Sequence, residues 1–299
     1  MTSKPRIGFI GLGLMGHGIA KNIVEKGNPL TVVAHRNRQP VEDLLARGAA
    51  EASSAAELAR RSDIVFLCVT GSPQVEDALL RRDGLLEGLT PGTIIADCTT
   101  AEPSSTARMA AAVQERGGRF VDTPLIRTPK EAEDGRLVVI TGGDIETLAQ
   151  IRPVLETFAE VIVHAGGLGA AHKLKLIANF LLLAGAAAVA EAAVTAMKGG
   201  VDLGALAQIV QSGGADSVMF QRIAKYLLEG DDSLAKFAIG TAAKDLRYYT
   251  HMAEMAPTTA FIAEAVHQTF QLAVLNGYGE RYLARIVDAL AAVNGIPRD

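Results

Sequence analysis

Hydrophobic positions follow two patterns along the chain. Before about Gly166 they come in short runs alternating with stretches of helical periodicity; beyond Gly200 only helical stripes occur. Arg6-Ile-Gly-Phe-Ile10 reads as a buried strand, and Leu30 to Ala34, Asp63 to Val69 and Thr93 to Asp97 as three more. Phe120–Asp122, Leu137–Ile140 and Val161–Val163 add further strands, with a helix from Ile145 to Phe158. Ser54-Ala-Ala-Glu57 is a capping box that opens a helix, and Pro103 suits the first turn of another. This alternation predicts a mostly parallel, doubly wound sheet. Helical periodicity then covers Leu203–Gln211, Ser217–Leu228, Thr241–Glu254, Ala260–Asn276 and Arg281–Ala292.

Between the two patterns lies a stretch unlike either. After Gly166, Gly167 and Gly169, Ala, Leu and Val dominate from Ala170 to Met197 with no proline. That is far longer than the roughly 11–12 residues of an average helix. The expected organisation is an α/β domain over 1–165 and an all-α domain over 166–299, with a linking helix at about 168–199. Such a seam is where a ligand site is expected. Lys175 and Asn179 sit one turn apart on this helix and share a face.

Composition narrows the function. The 299 residues are 49% apolar and 21% charged, which suits about two globular domains. A net charge of −4 argues against nucleic acid as a partner. The longest uninterrupted apolar run, Phe180 to Ala190, is short for a membrane span, so none is expected. The two cysteines, Cys68 and Cys98, fall in strands and read as reduced core thiols. With a strand following Met1 almost at once, the expected location is cytoplasmic.

Gly11-Leu-Gly13-Leu-Met-Gly16 follows the first strand and opens a helix, the context a dinucleotide fingerprint requires. Gly11 allows the tight turn, Gly13 lets backbone approach a pyrophosphate, and Gly16 lets helix and strand pack closely. The helix start offers free N–H groups to the phosphates. An NAD site usually carries an acid at the end of the second strand, whereas this chain has His35-Arg36-Asn37-Arg38. Arginine attracts a 2′-phosphate, so Arg36, Asn37 and Arg38 favour NADP over NAD; two solvated loop arginines are the plainer alternative.

These residues belong to a broader resemblance. The chain resembles the β-hydroxyacid dehydrogenases, the family of 3-hydroxyisobutyrate dehydrogenase and tartronate semialdehyde reductase. Gly11 to Gly16, with Leu14 and Met15, is similar to the family's cofactor fingerprint. Asp97-Cys-Thr-Thr100 with Pro103 resembles its D-x-S-T-x-x-P element, and Phe120-Val-Asp-Thr-Pro124 with Gly142-Gly143 its substrate segment. Gly166 through Asn179 resembles its lysine-bearing helix, and Lys244-Asp-Leu246 its late K-D-L. Three places depart from the pattern: Ile126-Arg127-Thr128 stands for S-G-G, Ala178 for the first of two asparagines, and Thr70-Gly71 for Pro-Asp or Pro-Asn.

The resemblance implies a Rossmann-like domain, a long interdomain helix and a helical domain that builds a homodimer or homotetramer. It implies catalysis by Lys175 with Asn179 as helper, Thr100 near the nicotinamide, and Val69, Thr70 and Lys244 at the cofactor pocket. A lysine ammonium can stabilise a developing alkoxide and give it a proton, and an apolar helix would desolvate that ammonium. Snorkelling to the surface, as expected of Lys173, is its alternative. Arg127 could fork onto an anionic substrate tail, with Thr128 and Thr100 donating further hydrogen bonds; an ion pair to Glu131 or Glu133, and turn or capping roles, are the alternatives. His172 reads as a helix-surface residue, and no metal-ligand spacing occurs.

The expected activity is an NADPH-preferring oxidoreductase that interconverts a small anionic β-hydroxyacid and its semialdehyde or ketone. Ile126 and Leu182 would make a greasier pocket, so a sulfonated aldehyde or an imine is an alternative substrate. A non-catalytic dinucleotide-binding scaffold is the remaining alternative.

Overall fold

A computed structural model describes residues 4–297. The chain divides into two compact units, Met1–Lys175 and Leu176–Asp299. The first contains a nine-stranded sheet flanked by helices. Its opening half runs β1 (Ile7–Ile10), α1 (Gly16–Glu25), β2 (Leu30–Val33), α2 (Gln39–Ala46), β3 (Ala50–Ala52), α3 (Ala55–Arg60) and β4 (Ile64–Leu67). It continues through α4 (Ser72–Leu80), α5 (Leu85–Gly88), β5 (Ile94–Asp97), α6 (Pro103–Glu115), β6 (Arg119–Asp122), β7 (Leu125–Ile126) and α7 (Pro129–Glu133). Then come β8 (Leu137–Gly142), α8 (Ile145–Leu155) and β9 (Ala159–Gly166).

Strand order is β3-β2-β1-β4-β5-β6-β8-β7, with β9 also pairing β8. The strands from β3 to β6 are parallel, β8 is antiparallel to β6 and β7, and β9 is parallel to β8. Strands β4 and β5 are buried throughout, because helices cover both faces of the sheet. Ile7, Phe9, Phe66, Val121 and Phe158 fill one face, and Leu58, Val65, Leu67, Ile95 and Val113 the other. The reversal at β1, between β2 and β4, is the switch point where ligands gather beyond the carboxyl ends of the strands.

The Ser54 box forms by halves. Ser54 Oγ accepts the Glu57 N–H at 3.1 Å, while the Glu57 carboxylate reaches past Ser54 to the Ser53 N–H at 2.6 Å.

Helix α9 spans Ala170–Lys198. Its best stretch has a mean hydropathy of 1.9, so by length and composition alone it could cross a membrane, contrary to the expectation from the Phe180–Ala190 run. A core helix meets the same criterion, and Leu183, Ala186, Ala190 and Ala193 of α9 are fully buried within the helical unit. That unit continues with α10 (Leu203–Gln211), α11 (Val218–Glu229), α12 (Ile239–Met255), α13 (Phe261–Ala273) and α14 (Ile286–Val293). Phe270, Leu246, Ile239 and Ile223 complete its core.

Candidate active site

The turn from β1 into α1 has the geometry of a dinucleotide cradle. Gly11 has φ +100°, and a Cβ on it would lie 2.1 Å from the Cys68 carbonyl oxygen; one on Gly16 would lie 1.8 Å from that of Gly11. Protein packing thus demands both outer glycines. Gly13 differs: no atom lies within 4 Å of where its Cβ would be. Its bare face is open at the start of α1, as close approach by a pyrophosphate requires. Leu14 projects from the tip, 76% exposed, and Met15 packs partly against the core. These residues fit a nicotinamide dinucleotide.

At the end of β2 the three polar candidates separate. Asn37 Oδ1 accepts the Gln39 N–H at 3.1 Å, which shapes the turn. Arg38 is bidentate on Glu51, with both nitrogens at 3.0 Å. Arg36 is exposed and, among the described residues, makes no hydrogen bond or ion pair.

Beyond β4 and β5 the loops are tied together. The Val69 N–H donates to Thr99 Oγ1 at 3.2 Å, and the Thr99 N–H donates to Asp97 Oδ1 at 2.9 Å. Thr70 is exposed and Thr100 half-buried beside these bonds. Both thiols are free; desolvation, then Asp97, pushes Cys68 up to about 12. Burial likewise pushes Cys98 well up.

Of the three residues expected on the substrate, Arg127 and Thr128 have partners that the fold supplies. Arg127, just after β7, donates to the Glu160 carboxylate of β9 and to the Arg136 carbonyl. Its partner is neither Glu131 nor Glu133. Its φ of +88° is strained for a residue with a Cβ, at a cost of roughly 1–3 kcal/mol. Thr128 caps α7, and its backbone N–H donates to Glu131 at 3.1 Å.

Helix α9 begins on a buried carboxylate. Asp122, at the end of β6 and fully buried, accepts the Gly169 N–H at 2.8 Å and the His172 N–H at 2.9 Å. These satisfy donors that a helix start otherwise leaves orphaned, and hydrogen bonds to a charged group contribute about 1.5–3 kcal/mol each. Gly142 makes room for the carboxylate: a Cβ there would lie 2.7 Å from both Asp122 oxygens. Lys175 follows within one turn and is half-buried, whereas Lys173 is exposed. His172 is not on the surface as its helical position suggests; it is fully buried and meets Thr106 at 2.7 Å.

In the helical unit, Asn179 donates to Asp245 Oδ2 at 2.6 Å, joining α9 to α12. Lys244 Nζ lies 2.9 Å from Asp245 Oδ1 and 5.0 Å from the centre of the Tyr248 ring. An apolar cleft lined by Val189, Leu206, Phe220, Ala224 and Leu228 also opens in this unit. The polar side chain in its lining, Ser217, is engaged as the cap of α11.

Sequence reasoning missed Asp122 and Asp97 as organisers. The available signal was a carboxylate ending a buried apolar run, Ile94–Ala96 or Phe120–Val121, which must find buried partners.

Residues 6–167 match the NAD-binding domain of 6-phosphogluconate dehydrogenase, and residues 169–290 match the NAD-binding domain of NADP-dependent 3-hydroxyisobutyrate dehydrogenase. The chain is 31% identical to probable 3-hydroxyisobutyrate dehydrogenase-like 2 of Arabidopsis thaliana, across 98% of this chain and 96% of that one. It is also 31% identical to an NAD-dependent L-serine dehydrogenase of Pseudomonas aeruginosa, across 92% and 94%. The crystal structure of a 3-hydroxyisobutyrate dehydrogenase from Salmonella typhimurium superposes with a TM-score of 0.82 at 26% identity, covering 95% of this chain and 99% of that one. Matched from the glycine turn through the last long helices, this chain belongs to the β-hydroxyacid dehydrogenase family and is an NAD(P)-dependent oxidoreductase acting on hydroxyl groups.

Proposed function

We propose that the protein interconverts a small β-hydroxyacid and its semialdehyde or ketone with NADP as the preferred coenzyme, and that Lys175 handles the proton. The observation that carries this reading is the seating of α9. Asp122 ties the helix start to the carboxyl end of β6, and the half-buried Lys175 follows one turn later. When bound, the coenzyme supplies or accepts the hydride. Gly11, Gly13, Leu14, Met15 and Gly16 would cradle its phosphates, with Val69, Thr70 and Thr100 around the rest of it. In reduction the Lys175 ammonium donates its proton to the alkoxide that forms; in oxidation the amine takes the hydroxyl proton. Asn179, held by Asp245, keeps its stretch of α9 fixed relative to α12.

Coenzyme preference rests on Arg36, the arginine of that turn not engaged by a carboxylate. The relatives alone do not set it, because one family description reads NADP-dependent and one relative's name reads NAD-dependent. Exposed Leu181, Ile209, Phe261 and Leu275 support a homo-oligomer, read by sedimentation.

The test is turnover of a panel of small hydroxyacids and semialdehydes followed by NADPH absorbance. Lys175→Ala should abolish turnover while NADPH still binds; retained turnover removes the assigned acid. A second reading, a neutral or imine substrate, is favoured by the carboxylate partner that Arg127 already has. The same panel with cyclic imines separates the two.

A further inference from the structure

Beneath the first turn of α9 lies a buried polar cluster that the proton chemistry above does not use. Asp97 and His172 are fully buried, and Thr106 is 2% exposed. Thr106 donates its single hydroxyl proton to the Glu102 carbonyl at 3.2 Å. Its oxygen lies 2.7 Å from His172 Nδ1, so the hydrogen of that second contact comes from the imidazole. With Nδ1 as donor, a neutral His172 turns the Nε2 lone pair outward. That atom faces Asp97 Oδ2 at 3.9 Å, and neither has a hydrogen-bond partner among the described residues. A lone pair and a carboxylate oxygen confronted in a buried site repel, and each orphaned polar atom costs about 1–3 kcal/mol.

We propose that Asp97 and His172 together keep one proton on their two facing side chains, and that this makes His172 a positioning residue for Lys175. The pair is then neutral overall, as neutral acid with neutral imidazole or as carboxylate with imidazolium. Burial raises the Asp97 carboxyl above its ordinary range, in keeping with a retained proton. The other titratable groups facing it are Asp122 on β6, already committed to two backbone N–H groups, and the thiols Cys68 and Cys98. Asp97 and Asp122 stand side by side in register on β5 and β6. One therefore holds the backbone of the helix start and the other holds its imidazole. Removing the shared proton would leave a second buried negative charge beside Asp122 and loosen the turn that carries Lys175.

The link to Lys175 rests on the function proposed above, but the shared proton does not, so the two can fail separately. The experiment is nitrogen NMR of the 15N-histidine-labelled full chain with NADP+ bound, the His172 signal being assigned by its loss in His172→Gln. A His172 Nε2 nitrogen shift away from that of a bare imidazole nitrogen is expected in the wild type and in Lys175→Ala, and it should revert in Asp97→Asn. In kinetics Asp97→Asn should lower kcat about 10- to 100-fold, as small misplacements of a reacting group do, with the KM for coenzyme within about twofold. The pH profile of kcat should also move. A wild-type spectrum with the bare-nitrogen shift, an unaltered shift in Asp97→Asn, or an unchanged kcat in folded Asp97→Asn overturns the proposal. If Asp97→Asn does not fold, the wild-type spectrum and Thr106→Val decide. Thr106→Val deprives Nδ1 of its acceptor and should shift the same signal, and an unmoved signal counts against the pair.

Discussion

The side-chain amide of Asn179 donates to the buried carboxylate of Asp245 at 2.6 Å, so a residue expected to assist catalysis also joins α9 to α12. Asn179→Ala should strip that carboxylate of a donor and destabilise the protein by about 1.5–3 kcal/mol, the worth of a hydrogen bond to a charged group. Urea unfolding measures it. A loss below about 0.5 kcal/mol, the level of an ordinary surface substitution, would make the bond incidental.

Arg36 and Arg38 should behave differently although they are near neighbours. Arg36→Asp should reduce affinity for NADPH relative to NADH by about tenfold or more, equal to about 1.4 kcal/mol. Arg38→Ala breaks the exposed pair with Glu51 and should leave the ratio nearly unchanged, at a stability cost of about 0–1 kcal/mol. Fluorescence titration with both coenzymes checks this, and an unmoved ratio in Arg36→Asp would leave the arginine without a role.

Glu160 pairs with Arg127, and under the proposed function it would compete with an anionic substrate for that guanidinium. Glu160→Gln should therefore lower the KM for an anionic substrate, and Arg127→Ala should raise it by about tenfold, the scale of a lost charged contact. Neutral substrates should respond to neither. Parallel effects on charged and neutral substrates would take Arg127 out of the binding site.

Arg47 one turn along α2, followed by His17, holds Asp43 down to about 2 from its ordinary 3.8. A lowered carboxylate adds stability that is complete above the unfolded value and is lost as the folded form takes up its proton. Thermal midpoints should thus fall as pH drops from about 4 to about 2. Asp43→Asn should flatten that part of the curve, and an identical slope would assign the acid sensitivity elsewhere.

Much of the architecture was legible because burial leaves a local mark. Ile64–Leu67 and Ile94–Asp97 are apolar runs bounded by turns, and Leu203–Gln211 is helical over the span its periodicity predicts. Strand β3 left no mark: Ala-Glu-Ala has no β-branched residue, and pairing with β2 alone makes it a strand. The long-range partners were equally hidden. Glu160 for Arg127, Glu51 for Arg38, Asp245 for Asn179 and Thr106 for His172 are brought together by the fold, not by spacing. Helical position put His172 on the surface of α9, because spacing along one helix does not show what the fold packs against it.

The hydrogen atom that serves as the side chain of residue 142 has a reach well beyond its size. Even a methyl group would push the Asp122 carboxylate off the two amides it holds. On the role proposed for Lys175, the lysine downstream would then lose its aim while the coenzyme cradle stayed whole. A lesion at this spot would yield a protein that still takes up dinucleotide and yet turns nothing over, and its origin would be invisible to a search confined to ligand contacts.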